Sequence, residues 1–347
     1  MNLIIEIGGL ERYMKKNKIQ VNELSKEAKV SLRTRIISAV VACIIILPAV
    51  FLGDWPFMGA LLFCLLVAVV EIIRCDKKKY SRWLYFFSML CISFICFFPL
   101  FRDFFNGSSQ PAETWRVYQT FDNIYVSIIG LICSALALLY LIMWDENFTV
   151  RDACFIFMMG LLIALGFQSI AFLRFFPINS YYSASSYFDL KNTVQSTTLL
   201  FYVVIGTFGT DIGAYFIGML FGKNKLNERI SPKKTWEGFW GGIVISAILS
   251  MTFAFVLAIN DLPIGNIFDL NHWWNIVVVS LMIPPFATLG DFIFSACKRY
   301  FEIKDFGKIM PGHGGVLDRL DSLLVSSIVV ALYISIYNGA LVGNPLI

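Results

Sequence analysis

Residues 238–259 read Gly238-Phe-Trp-Gly-Gly-Ile-Val-Ile-Ser-Ala-Ile-Leu-Ser-Met-Thr-Phe-Ala-Phe-Val-Leu-Ala-Ile259, with no Lys, Arg, Asp or Glu. As a helix rising about 1.5 Å per residue, such a run covers the roughly 30 Å hydrocarbon core of a bilayer. Eight more stretches are long and apolar enough to span, four of them with a single charged residue: 36–53, 55–73, 83–101, 124–144, 154–175, 197–221, 275–297 and 323–342. Of the 347 residues 58% are hydrophobic and only 15% charged, and the mean hydropathy of +0.71 excludes a water-soluble globule. Backbone N–H and C=O groups in hydrocarbon must bond within their own segment or in a closed barrel, so runs this long predict helices. The expected fold is all-α, a polytopic integral membrane protein with about nine transmembrane helices.

The position of the charges orients the chain. Eight Lys and Arg precede the first run, five follow the second (Arg74, Lys77, Lys78, Lys79, Arg82), and five follow each of the sixth and eighth. With the N-terminus inside, 24 of the 28 basic residues fall on the cytoplasmic side, as the positive-inside rule prefers. The expected division is a cytoplasmic N-terminal extension (1–35), transmembrane helices one to five (36–196), and a catalytic region of helices six to nine with their cytoplasmic loops (197–347). The extension has no cleavage site after an apolar core, so it does not read as a signal peptide. A net charge of +4 is too balanced for a nucleic-acid surface. The eight Cys are scattered without a Cys-x-x-Cys pair and read as packing residues, not as a disulfide framework or zinc site.

Chemistry concentrates in two cytoplasmic loops. Asp318 and Asp321 stand three apart at the mouth of the ninth run, a spacing that turns both to one helix face, and Asp291 lies near the end of the eighth. Three carboxylates meeting at the membrane surface would suit Mg²⁺ or Mn²⁺, which completes its shell with phosphate oxygens and water. Lys298, Arg299, Lys304, Lys308 and Arg319 stand around them to neutralise phosphates, and Gly312, Gly314 and Gly315 allow backbone N–H groups to approach an anion. Acid, base and glycine together suggest phosphoryl or nucleotidyl transfer, against the plainer reading of a solvated basic loop.

The loop after the sixth run reads Ser231-Pro-Lys-Lys-Thr-Trp-Glu-Gly238. Pro232 breaks helix and Thr235 can cap the next one, presenting Lys233 and Lys234 at a helix N-terminus, a natural anion site. The Gly-x-x-x-x-Gly-Lys-Ser/Thr spacing of a Walker A loop is not met. Asp211 lies deep in the sixth run, where an ionisable residue faces a polar cavity rather than lipid; an interhelical hydrogen bond and a substrate or metal role both fit it. Glu71 and Arg74 read as a simple i,i+3 pair without chemistry. His313, in a Pro-Gly-His-Gly-Gly turn, is not a general base on spacing alone.

The pattern Ser295-x-x-Lys298-Arg299-x4-Lys304-Asp305-x5-Pro311-x-His313-Gly-Gly-x-x-Asp318-Arg319-x-Asp321 resembles the signature of the phosphatidate cytidylyltransferases, or CDP-diacylglycerol synthases. Asp211-x-Gly-Ala-Tyr215 and Ile230-Ser-Pro-Lys-Lys-Thr-Trp-Glu-Gly238 are similar to that family's other motifs, and the likeness covers roughly 200–325. It implies transfer of CMP from CTP to phosphatidate, giving CDP-diacylglycerol and pyrophosphate, with Mg²⁺ on Asp291, Asp318 and Asp321 and a second cation such as K⁺ as a candidate. Lys298 and Arg299 join those aspartates as catalytic candidates. Asp211, Ser231, Lys233, Lys234, Thr235, Lys304, His313 and Arg319 are candidates for binding substrate. The resemblance further implies a homodimer in a bacterial-type inner membrane with its active face in the cytoplasm. Two alternatives stand: a related CTP-dependent transferase acting on another lipid phosphate or a lipid alcohol, and an ion-coupled transporter, which would account for Asp211 but would not need clustered acids and bases on one face.

Overall fold

The computed structural model describes residues 26–105, 124–181, 197–260, 264, 267–312 and 314–342. Most of the N-terminal extension and of the loops 102–123 and 176–196, and His313, lie outside these residues. The apolar runs form helices in the expected order: α1 (Lys26–Leu52), α2 (Asp54–Arg74), α3 (Arg82–Phe105), α4 (Ile124–Leu141), α5 (Val150–Tyr181), α6 (Thr198–Phe221), α7 (Trp236–Ile259), α8 (Trp273–Tyr300) and α9 (Leu317–Val342). Six of them, α2 and α5 to α9, are long and apolar enough to cross a membrane. The other three contain shorter apolar segments, Ile37–Leu52, Arg82–Phe97 and Leu131–Leu141. The chain is thus a mostly helical membrane protein.

One departure from helix falls in the loop after α6. Strands β1 (Lys225–Asn227) and β2 (Ser231–Thr235) pair antiparallel, with Lys225 opposite Thr235 and Asn227 opposite Ser231. The Asn227 side chain accepts the Ile230 N–H at 3.1 Å and closes the turn. Pro232, which lacks an N–H, is tolerated because a two-stranded ribbon has only edges. Thr235 then caps α7, its hydroxyl accepting the Gly238 N–H at 3.1 Å, a contact contributing about 1 kcal/mol.

In lipid, helices associate through close packing and buried hydrogen bonds, and small residues make both available. Along α6, Gly209 and Gly213 face Ser246 and Gly242 of α7, so near that a Cβ on Gly213 would lie 3.1 Å from the Gly242 Cα. Ser246 Oγ donates to the Gly206 carbonyl at 2.6 Å. Thr207 of α6 bonds Ser326 of α9 (2.8 Å), and Tyr202 bonds Ser280 of α8 (2.7 Å), all buried. In α8 two prolines cannot donate backbone hydrogen bonds, and Thr288 Oγ1 reaches back to the Pro284 carbonyl at 3.0 Å.

The basic loops meet at one end of the bundle, as their charge pattern requires. Ser38 Oγ of α1 donates to the Pro311 carbonyl (3.0 Å), and Lys77 Nζ to the Glu302 carbonyl (3.3 Å). Lys78 pairs with Asp152 at 2.7 Å and Asp76 at 2.8 Å, which hold its ammonium above the ordinary lysine range. Asp145 accepts the Ser81 N–H at 2.7 Å, drawing the loop after α4 to the same end.

Candidate active site

Helix α9 begins at Leu317, six residues before the apolar run that marks it in the sequence. Asp318 and Asp321 therefore both lie in its first turns, yet they do different work. Asp318 is saturated by its own chain: Oδ1 takes the Lys298 ammonium at 2.9 Å, and Oδ2 accepts the N–H groups of Phe306 (2.8 Å) and Gly315 (2.9 Å). Its side chain is 3% exposed, and with Lys298 it pins the 301–316 segment against the end of α8. Asp321, 8% exposed, accepts only from Ser322, through one oxygen, and its other oxygen has no hydrogen-bond partner among the described residues.

Asp291 stands on α8, where Ser295 Oγ donates to it at 3.0 Å and Lys234, from the end of β2, forms an ion pair with its other oxygen. Asp211, on α6, accepts no hydrogen bond among the described residues and opens into a cavity of about 290 Å³ between α6 and α7. Tyr215, Lys233, Lys234, Phe239 and Thr288 line this cavity with it. Lys234 ties two of these acids together, pairing with Asp291 and lining the cavity with Asp211, while Gly290, next to Asp291, packs against the Asp321 backbone; Lys298 lies two turns along α8 from Asp291, and Arg319 two residues before Asp321. Three helices and the hairpin thus supply three acids and three bases to one region.

Such crowding of carboxylates is costly without positive charge between them. Among the described residues no three His, Cys, Asp or Glu side chains form a cage for a metal ion. An incomplete set of hard oxygen donors fits Mg²⁺, which dehydrates reluctantly and is bound through one or two carboxylates plus substrate phosphates and water. The unpartnered oxygens of Asp211 and Asp321 are the ones free to serve it.

The remaining sequence candidates fall in three places. Lys233 is exposed at the cavity mouth, while Lys234 is half-buried with its ammonium 5.1 Å from the Phe292 ring centre. Ser231 and Thr235 are hairpin and cap residues. Arg299 is turned to the hairpin, its Nε donating to the Ile230 carbonyl at 3.2 Å. Lys304 and Arg319 line a second cleft beside the 304–314 segment. His313 is not among the described residues.

The pairing of Glu71 with Arg74 does not form. Arg74 is exposed, and Glu71, 3% exposed, turns into the protein and accepts the N–H groups of Val316 and Leu317 at 3.0 and 2.9 Å. It caps α9 from a helix some 245 positions earlier. Its carboxylate occupies the space where a Cβ of Gly315 would stand, so that glycine is fixed by close approach. No local spacing could have revealed this, although an acid one turn inside an apolar run is itself a signal of a buried partner.

The family model for cytidylyltransferases matches residues 33–337. The chain belongs to the cytidylyltransferase family. It is 32% identical over 296 residues to the phosphatidate cytidylyltransferase of Bacillus subtilis (strain 168), covering 85% of this chain and 94% of the relative. The Staphylococcus haemolyticus (strain JCSC1435) protein of the same name is 30% identical over 294 residues, 84% of this chain and 95% of the relative. That of Staphylococcus aureus (strain COL) is 28% identical over 294 residues, with the same coverage. As a cytidylyltransferase the chain carries the motif-bearing helices α6 to α9 and also α1 to α5, all within or overlapping the match.

Proposed function

We propose that this cytidylyltransferase transfers CMP from CTP to phosphatidate, giving CDP-diacylglycerol and pyrophosphate in phospholipid biosynthesis. Family membership and the names of its relatives support the activity. The observation that carries the residue roles is the Asp291–Lys234 ion pair beside the cavity that Asp211, Lys233 and Lys234 line between α6 and α7, with the Asp321 backbone packed against Gly290.

In the reaction an anionic oxygen of the lipid phosphate forms a bond to the α-phosphorus of CTP, and the bond from that phosphorus to the bridging oxygen breaks, releasing pyrophosphate. The nucleophile is already ionised near neutral pH, so the protein supplies positioning and neutralisation rather than a strong base. Bound Mg²⁺ would supply charge neutralisation on the phosphates, held by Asp211 and Asp321, while Asp291 is engaged by Lys234 and Ser295. Lys233 and Lys234 bind and orient phosphate at the cavity mouth, with Lys234 held in place by Asp291. Lys298 and Asp318 hold the motif segment in register with the acids. K⁺ remains part of the proposal as a second cation.

The same reading places nine transmembrane helices with an internal N-terminus and an external C-terminus, an active face in the cytoplasm of a bacterial-type inner membrane, and a homodimer. The charge distribution supports the orientation, and the family resemblance supports the dimer. Offering different lipid phosphates and lipid alcohols to the purified protein with labelled CTP tests the substrate: phosphatidate is expected to be used best. External labelling of a cysteine placed at residue 230 or 310 in intact cells would overturn the orientation.

A further inference from the structure

We infer that the cleft between the start of α1 and the 304–319 segment is the seat of the CTP triphosphate, and that Arg35 is a substrate-binding residue from a helix outside the motif region. The inference rests on the cytidylyltransferase reading above. The cleft measures about 770 Å³, within the range of ligand sites, and is lined by Arg35, Lys304, Lys308 and Arg319 with Asp305 as its one acid. Arg35, Lys304 and Lys308 form no ion pair among the described residues. So much positive charge gathered in one concavity repels itself until an anion enters.

Arg35 is built into this cleft. Ser38 Oγ, one turn along α1, donates to the Pro311 carbonyl at 3.0 Å. Gly312, at a φ of 78°, lies so close to the Arg35 stem that a Cβ there would stand 2.9 Å from the Arg35 Cγ. Meanwhile the N–H groups of Gly315, Val316 and Leu317 are taken by Asp318 and Glu71, so the α9 terminus has few N–H groups left for an anion. Side-chain cations must bind it.

Position then selects the substrate. Arg319 lines the cleft two residues before Asp321, whose carbonyl lies 2.6 Å from where a Cβ of Gly290 would stand; Asp291, next to Gly290, pairs with Lys234, which lines the cavity between α6 and α7, so the two spaces flank the acid cluster. The cavity between α6 and α7 combines apolar and aromatic walls (Ala214, Tyr215, Met219, Phe239) with two lysines, Lys233 and Lys234, and suits a lipid that carries one phosphate; the cationic cleft suits the substrate with most phosphate charge.

The test is Arg35→Gln and Lys308→Gln in the full-length protein, measuring kcat and KM for each substrate at saturating levels of the other, and equilibrium binding of pyrophosphate by calorimetry in detergent. Each variant is expected to raise the KM for CTP and the dissociation constant for pyrophosphate about tenfold, the loss of one charge-assisted hydrogen bond. Arg35→Lys should fall between, and the KM for phosphatidate should stay within about twofold. A rise confined to phosphatidate would make the cleft a lipid-headgroup site and overturn the inference, as would unchanged values for both substrates. If Arg35→Gln fails to fold, Lys308→Gln, on an exposed loop, carries the same decision. If the wild-type protein turned over no CTP, the functional reading would fall, and pyrophosphate binding alone would still decide the cleft: weakened in both variants it stands, unchanged it does not.

Discussion

The Glu71 carboxylate accepts the Leu317 N–H at 2.9 Å, joining the end of α2 to the first turn of α9 across most of the chain. With its second bond to Val316, it fixes where α9 starts, and thereby where Asp318, Arg319 and Asp321 stand. Glu71→Ala leaves two buried N–H groups without partners and is expected to cost about 1–3 kcal/mol and most of the activity. Glu71→Gln keeps one acceptor but turns an amide N–H₂ toward a donor, so it should recover only part of both. Thermal unfolding in detergent alongside turnover checks this; unchanged stability in Glu71→Ala would contradict the capping role.

Asp318→Asn and Asp321→Asn should separate structure from chemistry. At 318 the replacement removes a charge that satisfies Lys298 and swaps an acceptor for a donor, so unfolding temperature and activity should fall together. At 321 it relieves repulsion among carboxylates, so stability should hold or rise while turnover falls at least about a hundredfold even at saturating Mg²⁺. Measuring stability and kcat for both variants decides it, and near-normal turnover by Asp321→Asn would refute the assignment.

The two lysines of the Ser-Pro-Lys-Lys segment should differ as well. Lys234 neutralises Asp291 in a half-buried position, so Lys234→Gln is expected to lower kcat about tenfold or more. Lys233 is exposed at the cavity mouth, and Lys233→Gln should act mainly on the KM for phosphatidate. Steady-state parameters for both substrates test the pair; a larger loss of kcat at 233 than at 234 would reverse the roles.

The helices were legible because lipid leaves the backbone no alternative, and each apolar run has its helix. The family was legible too, since aspartates, lysines and glycines at those spacings make up its motifs. What the sequence hid was long-range pairing. Asp318 and Asp321 share a helix face by spacing, but the N–H groups of Phe306 and Gly315 and the ammonium of Lys298 claim the first, while one oxygen of the second has no hydrogen-bond partner among the described residues. Glu71 looked like half of a surface pair because its real partners are backbone groups some 245 positions away. The Ser231–Thr235 segment read as an irregular loop because a five-residue strand with Pro232 carries no alternating apolar pattern.

The central claim is transfer of CMP to a lipid phosphate by metal-dependent displacement of pyrophosphate. It is tested most directly by incubating the purified protein with CTP, with and without phosphatidate and with and without Mg²⁺, while following pyrophosphate release. Release that requires both phosphatidate and Mg²⁺, matched mole for mole by CDP-diacylglycerol, is the expected result. Pyrophosphate formed equally well without phosphatidate, or none formed with all components present, would contradict it.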